Sequence, residues 1–225
     1  ITFPQLLKNL CEIKGKFRLR FMTNHPKDFG RDLVDVMKNE EKICKCIHLP
    51  VQSGSNEVLR LMNRKYTRED YLEMLAYLKS ELPDCAVTTD IMVGFPKETD
   101  KDFFDTLDLV KQARFANAFT FVYSRRKGTI ADKMDGQIDD ETKKRRITAL
   151  IDEVSEIARD LCKDSVGKKV EILCEGYDEK KNKYLGRDEY GRMAYFSSDK
   201  DLTGEFVNLI INKVGGISLY GEIVD

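Results

Sequence analysis

A largely apolar run that stops abruptly at a proline constrains the fold of this chain more than any other feature. Residues 43–49 predict a buried strand, and Pro50 ends it because proline has no N–H to donate to a central strand. The polar turn at 52–54 follows, and Ser55 is suited to cap the helix predicted over 56–62. In parallel α/β folds, ligands bind at the carboxyl ends of strands. The sequence therefore predicts a ligand-binding rim at this turn.

Strand patterns alternate with amphipathic helix patterns in the first part of the chain. The strands are predicted at 17–22, 43–49, 86–93 and 118–123, and the helices at 3–11, 30–39, 56–62, 67–82 and 99–111. This alternation is typical of a parallel sheet with right-handed crossovers. A four-stranded sheet that opens on a helix leaves an edge strand bare, and the chain does not begin with Met. We therefore expect further strands upstream.

The pattern changes after residue 138. A long amphipathic helix is predicted over 139–165, and it is followed by short strand patterns. These lie at 168–176, 183–187, 192–197, 205–211 and 217–224. Several short strands separated by turns indicate a small barrel or sandwich. We expect a first domain over 1–138, a connecting helix over 139–165 and an all-β domain over 166–225.

Composition narrows the class of protein. The formal net charge is −1, so nucleic acid would have to bind at a local basic patch. The sequence shows neither a membrane-spanning run nor a signal peptide, and we expect a cytoplasmic protein without membrane partners. The six cysteines have no Cys-x-x-Cys spacing, which favours reduced thiols. Cys44, Cys46 and His48 alternate on one strand face and could in principle ligate a metal, but burial is the favoured explanation and no metal site is predicted.

Five ordered motifs give the chain a family resemblance. They are residues 18–26 (RLRFMTNHP), 48–55 (HLPVQSGS), 62–67 (MNRKYT), 89–99 (TDIMVGFPKET) and 123–129 (YSRRKGT). In this order they resemble the radical S-adenosylmethionine (SAM) methylthiotransferases, and the C-terminal part resembles their RNA-binding TRAM barrel. Ile130 and Asn24 depart from the family pattern, which usually has Pro and Ser there. His25-Pro26 and Gln52-Ser53 favour the MiaB-type branch.

The resemblance implies an architecture and an activity. The fold would be a partial (β/α) radical-SAM barrel, of which this chain carries the last four strands, followed by a small all-β TRAM barrel. The implied activity adds a methylthio group to N6-isopentenyladenosine beside the tRNA anticodon. The implied [4Fe–4S] clusters would be held by cysteines in missing N-terminal domains of the same protein. The chain alone is therefore expected to hold no cluster and to have no turnover, and no catalytic residue is predicted in it.

The resemblance also assigns binding residues. Those assigned to SAM lie at strand ends: Gln52, Ser53, Thr89, Asp90, Val93, Gly94, Tyr123 and Ser124. Those assigned to a tRNA anticodon stem-loop are basic: Arg126, Lys180, Lys181, Lys183, Arg187 and Arg192. Arg126 is equally suited to the SAM carboxylate, and the basic run at 143–146 is a second candidate for RNA. Tyr184, Tyr190 and Tyr195 lie near the barrel cations and are compatible with base stacking.

Three other interpretations stay open. The first is a related methylthiotransferase branch, which modifies threonylcarbamoyladenosine in tRNA or a ribosomal protein. The second is a cluster-less scaffold that binds RNA. A complete (β/α) enzyme with an ordinary acid–base site is the third. That reading has weak support, because His25 and His48 are the only histidines and no base–nucleophile pair is evident.

Overall fold

The structure is a computed structural model that describes residues 1–22 and 29–224. Asn24, His25 and Pro26 of the first motif lie outside these ranges. The helices are α1 (Phe3–Cys11), α2 (Arg31–Asn39), α3 (Asn56–Leu61), α4 (Arg68–Glu81), α5 (Asp100–Ala113) and α6 (Asp140–Lys163). The strands are β1 (Cys46–His48), β2 (Ala86–Val93), β3 (Asn117–Val122), β4 (Lys169–Asp178), β5 (Lys183–Arg187), β6 (Met193–Phe196), β7 (Phe206–Gly215) and β8 (Ser218–Ile223).

Side-chain caps explain where the helices begin. Thr2, Thr67 and Thr99 precede α1, α4 and α5, and each forms a capping box in which its hydroxyl accepts the third helical N–H. Ser55 caps α3, as its sequence position predicted, and Asp139 caps α6. The turns that carry polar residues are therefore tied directly to the helices that follow them.

The first part of the chain forms a parallel sheet of three strands in the order β1-β2-β3. The strand predicted over 17–22 is wrong in extent, because in the described residues it pairs only through a single bridge from Leu19 to Ile43. The helices cover one face of the sheet, where the core includes Tyr71, Phe115 and Leu150. That packing leaves the opposite face of the sheet as a surface.

The last part of the chain forms a closed barrel in the order β4-β5-β6-β8-β7. The prediction of a barrel or sandwich is thereby resolved as a barrel. All pairs are antiparallel except β6 with β8, and the closed ring leaves no free edge. The barrel core is filled by fully buried side chains such as Ile172, Phe196 and Leu209. The end of α6 contributes Cys162 to this same core.

Arginines near the N-terminus hold the barrel against the sheet. Arg18 donates to the backbone oxygens of Glu171 and Arg187, and its side chain is only 9% exposed. Arg20 forms an ion pair with Glu175 at 2.8 Å. The two parts of the chain therefore share a polar interface. None of the helices within 1–22 and 29–224 has the length and apolar character needed to cross a bilayer.

Candidate functional site

The loop that follows β1, residues 49–55, runs along the carboxyl end of β2 and is called the rim loop below. Gln52 pairs with the next strand, since its N–H donates to Asp90 O at 2.8 Å and its carbonyl accepts from Met92 N at 2.9 Å. Its φ is +69°, a left-handed conformation that residues other than glycine adopt rarely. The backbone of β2 therefore holds the Gln52 backbone in place at the rim.

Ser53 faces α5 and not the rim surface. It is fully buried, and its hydroxyl lies 3.2 Å from the Thr106 hydroxyl and accepts from Ser55 N at 3.2 Å. Gly54 N also donates to Thr106 Oγ1 at 3.0 Å. A Cβ on Gly54 would lie 2.5 Å from Asp105 O, so only glycine allows this approach. The ligand role predicted for Ser53 is corrected here to a structural one, which docks the rim loop on α5.

Thr89 and Val93 also lie on the covered face of β2. The Thr89 hydroxyl is fully buried, donates to Leu49 O at 2.7 Å and accepts from Val51 N at 3.0 Å. Val93 is fully buried in the core. Both predicted SAM contacts are corrected for the same reason. Alternate residues of a strand face opposite sides, and these two side chains face the helices.

The opposite side of the sheet is called the open face and carries His48, Thr88, Asp90, Met92, Phe119 and Phe121. His48 Nδ1 lies 2.9 Å from Thr88 Oγ1, and His48 Nε2 lies 3.5 Å from an Asp90 carboxylate oxygen. Asp90 is 27% exposed, so its carboxylate is accessible. The predicted candidate Asp90 is therefore presented on this face, with His48 as an unpredicted neighbour.

Two phenylalanines on the open face were missed from the sequence. Phe119 and Phe121 lie opposite Asp90 and Met92 across the β2–β3 ladder, and they are 51% and 47% exposed. The Phe119 ring meets His48 edge-on at 5.8 Å. Adjacent exposed apolar side chains of this kind are a feature of binding surfaces. The alternation of both strands carried the signal, because these positions share the face of Asp90.

Gly94 and Glu98 sit beneath the rim and not at its surface. A Cβ on Gly94 would lie 2.5 Å from Lys143 Cγ, and the residue has φ +75°. Gly94 N donates to Glu98, whose buried carboxylate also accepts from Arg146 at 2.9 Å. Within the described residues Glu98 Oε1 and Arg146 Nε have no hydrogen-bond partner. The close approach of Lys143 and the positive φ therefore both favour glycine at this position, and its contact with SAM stays a prediction.

A pocket of about 310 Å³ opens beside Gln52 at the rim. It is lined mainly by apolar side chains, among them Met62, Met92, Phe95, Ile130 and Met134. Tyr123 packs edge-on against Phe95 at 5.2 Å, and its buried hydroxyl has no partner among residues 1–22 and 29–224. An apolar pocket of this size with a few polar groups fits a flat heterocycle.

The segment after β3 supplies exposed residues near this pocket. Ser124 and Arg126 are both exposed, while the preceding Tyr123 is buried. Arg125 is held by an ion pair with Asp132 at 2.9 Å. The Arg126 carbonyl accepts from Thr129, which closes the turn. Ser124 and Arg126 are thus both accessible, and the turn between Arg126 and Thr129 is fixed by the backbone.

The predicted RNA-binding residues fall into two groups. Arg187 is paired with Glu175, and Arg192 bonds Asp188 at 2.6 Å and Ser165 at 2.7 Å. These two arginines are therefore engaged within the barrel, and their phosphate contacts stay a prediction. The lysines at 180, 181 and 183 form no ion pair in the described part of the chain and remain available as cations.

The second basic candidate, the run at 143–146, is largely committed to structure. Arg146 is 4% exposed and bonded to Glu98, while the Lys143 side chain is 12% exposed. Arg145 pairs with Asp100 at 3.1 Å. A surface that must bind phosphates needs accessible, unpaired cations. In this run only Lys144 is exposed without an ion pair in the described residues, so the run offers RNA fewer such cations than the three lysines of the barrel do.

The cysteines of the chain are free thiols. No group of three His, Cys, Asp or Glu side chains within 1–22 and 29–224 is arranged to hold a metal ion. The Cys46 thiol donates to the sulfur of Cys44, which lowers the pKa of Cys44 to about 7 against the effect of burial. That geometry accounts for the alternating cysteines as a hydrogen-bonded pair inside the fold.

Comparison with known proteins gives these features a context. Residues 2–110 match the sequence profile of the radical SAM superfamily. Relatives named tRNA-2-methylthio-N(6)-dimethylallyladenosine synthase align along essentially the whole chain. The protein of Alkaliphilus oremlandii is 46% identical over 225 residues, and that of Clostridium botulinum is 47% identical over 223. These alignments cover 100% and 99% of this chain but 48% and 50% of the relatives, so the chain spans about half the length of the curated relatives it matches.

A solved structure supports the fold. Coproporphyrinogen III oxidase (HemN) from Escherichia coli, described as a radical SAM enzyme, aligns with a TM-score of 0.51 at 20% identity. The match covers 68% of this chain and 36% of that one. At this identity it bears on the fold alone. The profile match and the aligned relatives agree with it: residues 2–110 are similar to the radical SAM superfamily, and the chain is similar along its whole length to the tRNA-2-methylthio-N(6)-dimethylallyladenosine synthases.

Proposed function

We propose that this chain is part of a radical SAM methylthiotransferase that adds a methylthio group to N6-isopentenyladenosine beside the tRNA anticodon. One observation carries the proposal, namely the 46% identity that extends over all 225 residues to a relative named for this product. Similarity that runs through both the sheet and the barrel favours a shared activity over a shared fold. Membership of another branch would require the same sheet and barrel to act on a different substrate.

The open face and the rim pocket fit the adenosine part of SAM. The apolar pocket beside Gln52, with a volume of about 310 Å³, has room for the adenine ring. The Asp90 carboxylate, which lies beside His48, is suited to accept hydrogen bonds from the ribose hydroxyls. Gln52 and Ser124 provide further polar groups at the rim. When bound, SAM supplies the methyl group and the reactive fragment that the chemistry requires.

The described residues do not fit an iron–sulfur cluster. Clusters of this type are held by several cysteine thiolates gathered in one place, whereas the described part of this chain gathers no such group. We propose that cluster ligands belong to other parts of the protein, in line with relatives twice as long. The role of this chain is then to bind and orient SAM and RNA.

The closed barrel is proposed to act as a TRAM domain that binds the RNA. Its lysines at 180, 181 and 183 lie together at one end of the barrel and have no ion pairs in the described part of the chain. Ammonium groups of this kind contact phosphates and position RNA without reading its bases. Specificity for the modified adenosine would then come from the sheet, and affinity from the barrel.

Nucleoside analysis tests the proposed function directly. The gene that encodes this chain is disrupted, and digested tRNA is analysed by mass spectrometry. We expect the 2-methylthio form of N6-isopentenyladenosine to disappear and its unmethylthiolated precursor to accumulate. Restoring the gene must restore the product. Unchanged 2-methylthio content in the disrupted strain would contradict the proposal, and a loss of a different modified nucleoside would assign the protein to another branch.

A further inference from the structure

Two tyrosines lie side by side on the surface of the barrel. Tyr195 in β6 and Tyr220 in β8 are register partners on neighbouring parallel strands. Their rings are stacked, with centroids 5.4 Å apart and planes inclined by 21°. Both side chains are partly exposed, and neither is in the barrel core. Polar-tipped aromatic rings paired on a surface offer a flat platform to a ligand.

The Tyr220 ring is held in position from below. A Cβ on Gly215 would lie 2.9 Å from Tyr220 Cε2, so the ring packs against the bare backbone of β7. Gly215 pairs with Ser218 at the turn between β7 and β8. A ring that is already fixed loses little conformational freedom when a ligand stacks on it. The platform is therefore built into the barrel before any ligand arrives.

A lysine covers the platform in this structure. Lys181 Nζ lies 3.7 Å from the centroid of Tyr195 and 3.4 Å from the Tyr220 hydroxyl oxygen. Lys181 is exposed and belongs to no ion pair in the described residues. Its neighbour Lys183 donates to Ser197 Oγ at 3.0 Å. Aromatic and hydroxyl partners hold an ammonium group weakly at an exposed site, so a phosphate can replace them.

A pocket of about 330 Å³ adjoins the platform. Its wall includes Asn212 and Glu222, whose side chains hydrogen-bond to each other at 3.2 Å. The amide and the carboxylate offer both donors and acceptors to the edge of a ring. The site thus combines an aromatic face, ammonium groups without ion pairs in the described residues, and polar groups at the ring edge. A nucleotide has the matching parts, namely a flat base, a phosphate and a hydrogen-bonding edge.

We infer that Tyr195, Tyr220 and Lys181 form a stacking site for one unpaired base of RNA. The base lies against the tyrosine platform, and the Lys181 ammonium moves from the ring to a phosphate of the same strand. Paired bases cannot use the site, because their faces are already stacked inside the helix. The inference rests on the proposed function for its choice of RNA, and it assigns the contact to the β6–β8 surface of the barrel.

Fluorescence anisotropy with a labelled RNA stem-loop and a fully paired RNA of the same length tests the site. The full chain is compared with the variant that carries Tyr195→Ala and Tyr220→Ala. We expect the variant to bind the stem-loop roughly tenfold more weakly, as loss of one stacked base implies, with an unchanged salt slope. Binding of the paired RNA should not change. Replacement of both tyrosines by Phe keeps the rings and should keep the affinity within about twofold.

Lysine variants separate stacking from charge. Lys181→Ala should reduce the slope of log affinity against log salt by about 0.7 to 0.9, which corresponds to one phosphate contact. Lys14→Ala removes the same charge from an exposed turn after α1 and should leave binding unchanged. The tyrosine ring NMR signals of the unaltered chain provide a second readout that needs no substitution, and they should shift on addition of the stem-loop.

The outcomes distinguish this site from the proposed function. Equal stem-loop affinity for the alanine variant and the unaltered chain, or unshifted ring signals at saturation, would overturn the stacking site. Neither result would alter the nucleoside analysis, which tests the proposed function alone. Conversely, tyrosine-dependent RNA binding together with unchanged tRNA nucleosides would retain the site and reject the methylthiotransferase activity.

Discussion

The two β-sheets of this chain differ in how much of their surface is buried. The barrel closes its hydrogen bonds in a ring and buries its inward side chains completely, as Phe196 and Leu219 show. Helices cover only one face of the parallel sheet, and its other face exposes Phe119 and Phe121 beside the Asp90 carboxylate. The barrel interior therefore serves stability, whereas the open face of the sheet is free to serve binding. Substitutions should separate these roles.

Truncating one phenylalanine in each sheet gives the largest contrast. Phe196→Ala removes a fully buried ring from the barrel core, and we expect it to lower the free energy of unfolding by about 3 to 5 kcal/mol. Phe121→Ala removes a ring that is 47% exposed, and we expect a loss below about 1 kcal/mol. Urea unfolding followed by circular dichroism measures both. Similar losses for the two variants would contradict the division between core and binding surface.

A buried ion pair provides the next largest effect. Arg146→Ala leaves the Glu98 carboxylate uncompensated inside the protein, and we expect a cost of about 3 kcal/mol or more. Arg145→Ala is the matched control, because the adjacent arginine is 60% exposed and an exposed pair contributes about 1 kcal/mol at most. Thermal unfolding in the same buffer compares them. If the two substitutions lower stability equally, Arg146 is not part of a buried ion pair, and the run at 143–146 becomes an RNA-binding candidate again.

The rim loop depends on a glycine. Gly54→Ala places a Cβ 2.5 Å from Asp105 O and 2.6 Å from Thr106 Cα, both backbone atoms that cannot move alone. Overpacking of this kind costs about 1 to 3 kcal/mol. We expect a lower melting temperature and shifted amide NMR signals over residues 49–55. An alanine variant with unaltered stability would show that the loop is not docked on α5 as described.

The smallest expected effect concerns how stability depends on pH where the rim loop meets α5, at the hydrogen bond from Ser55 to Asp102. Burial tends to raise the pKa of Asp102, but hydrogen bonds from Ser55 and Thr99 hold the pKa below its ordinary value of 3.8. The stabilisation is therefore present above that pH and is lost as the pH falls through the folded value. Asp102→Asn should flatten the acid side of a stability–pH curve. Parallel curves for Asp102→Asn and the unaltered chain would exclude this contribution.

Local patterns predicted most of the elements. The boundaries of α1 and β2 agree with the predicted 3–11 and 86–93, because alternation and capping residues act over a few positions. The strand expected at 17–22 shrinks to one bridge at Leu19, since pairing depends on distant partners. The sequence likewise could not show that Ser53 of the rim loop contacts Thr106 of α5.

Some errors about the site were avoidable. Thr89 lies between Val87 and Ile91 in its alternating set, which indicates the buried face, whereas Asp90 shares its set with Thr88. The same rule would have found Phe119 and Phe121. Arg192 follows Asp188 closely enough in sequence for an ion pair to be expected. The face on which a strand residue lies can therefore be predicted from the alternation of its neighbours. Assignments of ligand-binding residues by motif should be compared with that alternation.

Binding of a SAM analogue tests the central claim most directly, namely that the open face and its rim pocket hold the adenosine part of SAM. The full chain is titrated with S-adenosylhomocysteine, and two-dimensional NMR spectra report each backbone amide. We predict shifts confined to the open face and the rim, with Gln52, Asp90, Met92 and Phe121 among them, and their loss in Asp90→Ala. Shifts confined to the barrel or to the helix-covered face, or an identical pattern in Asp90→Ala, would contradict the account.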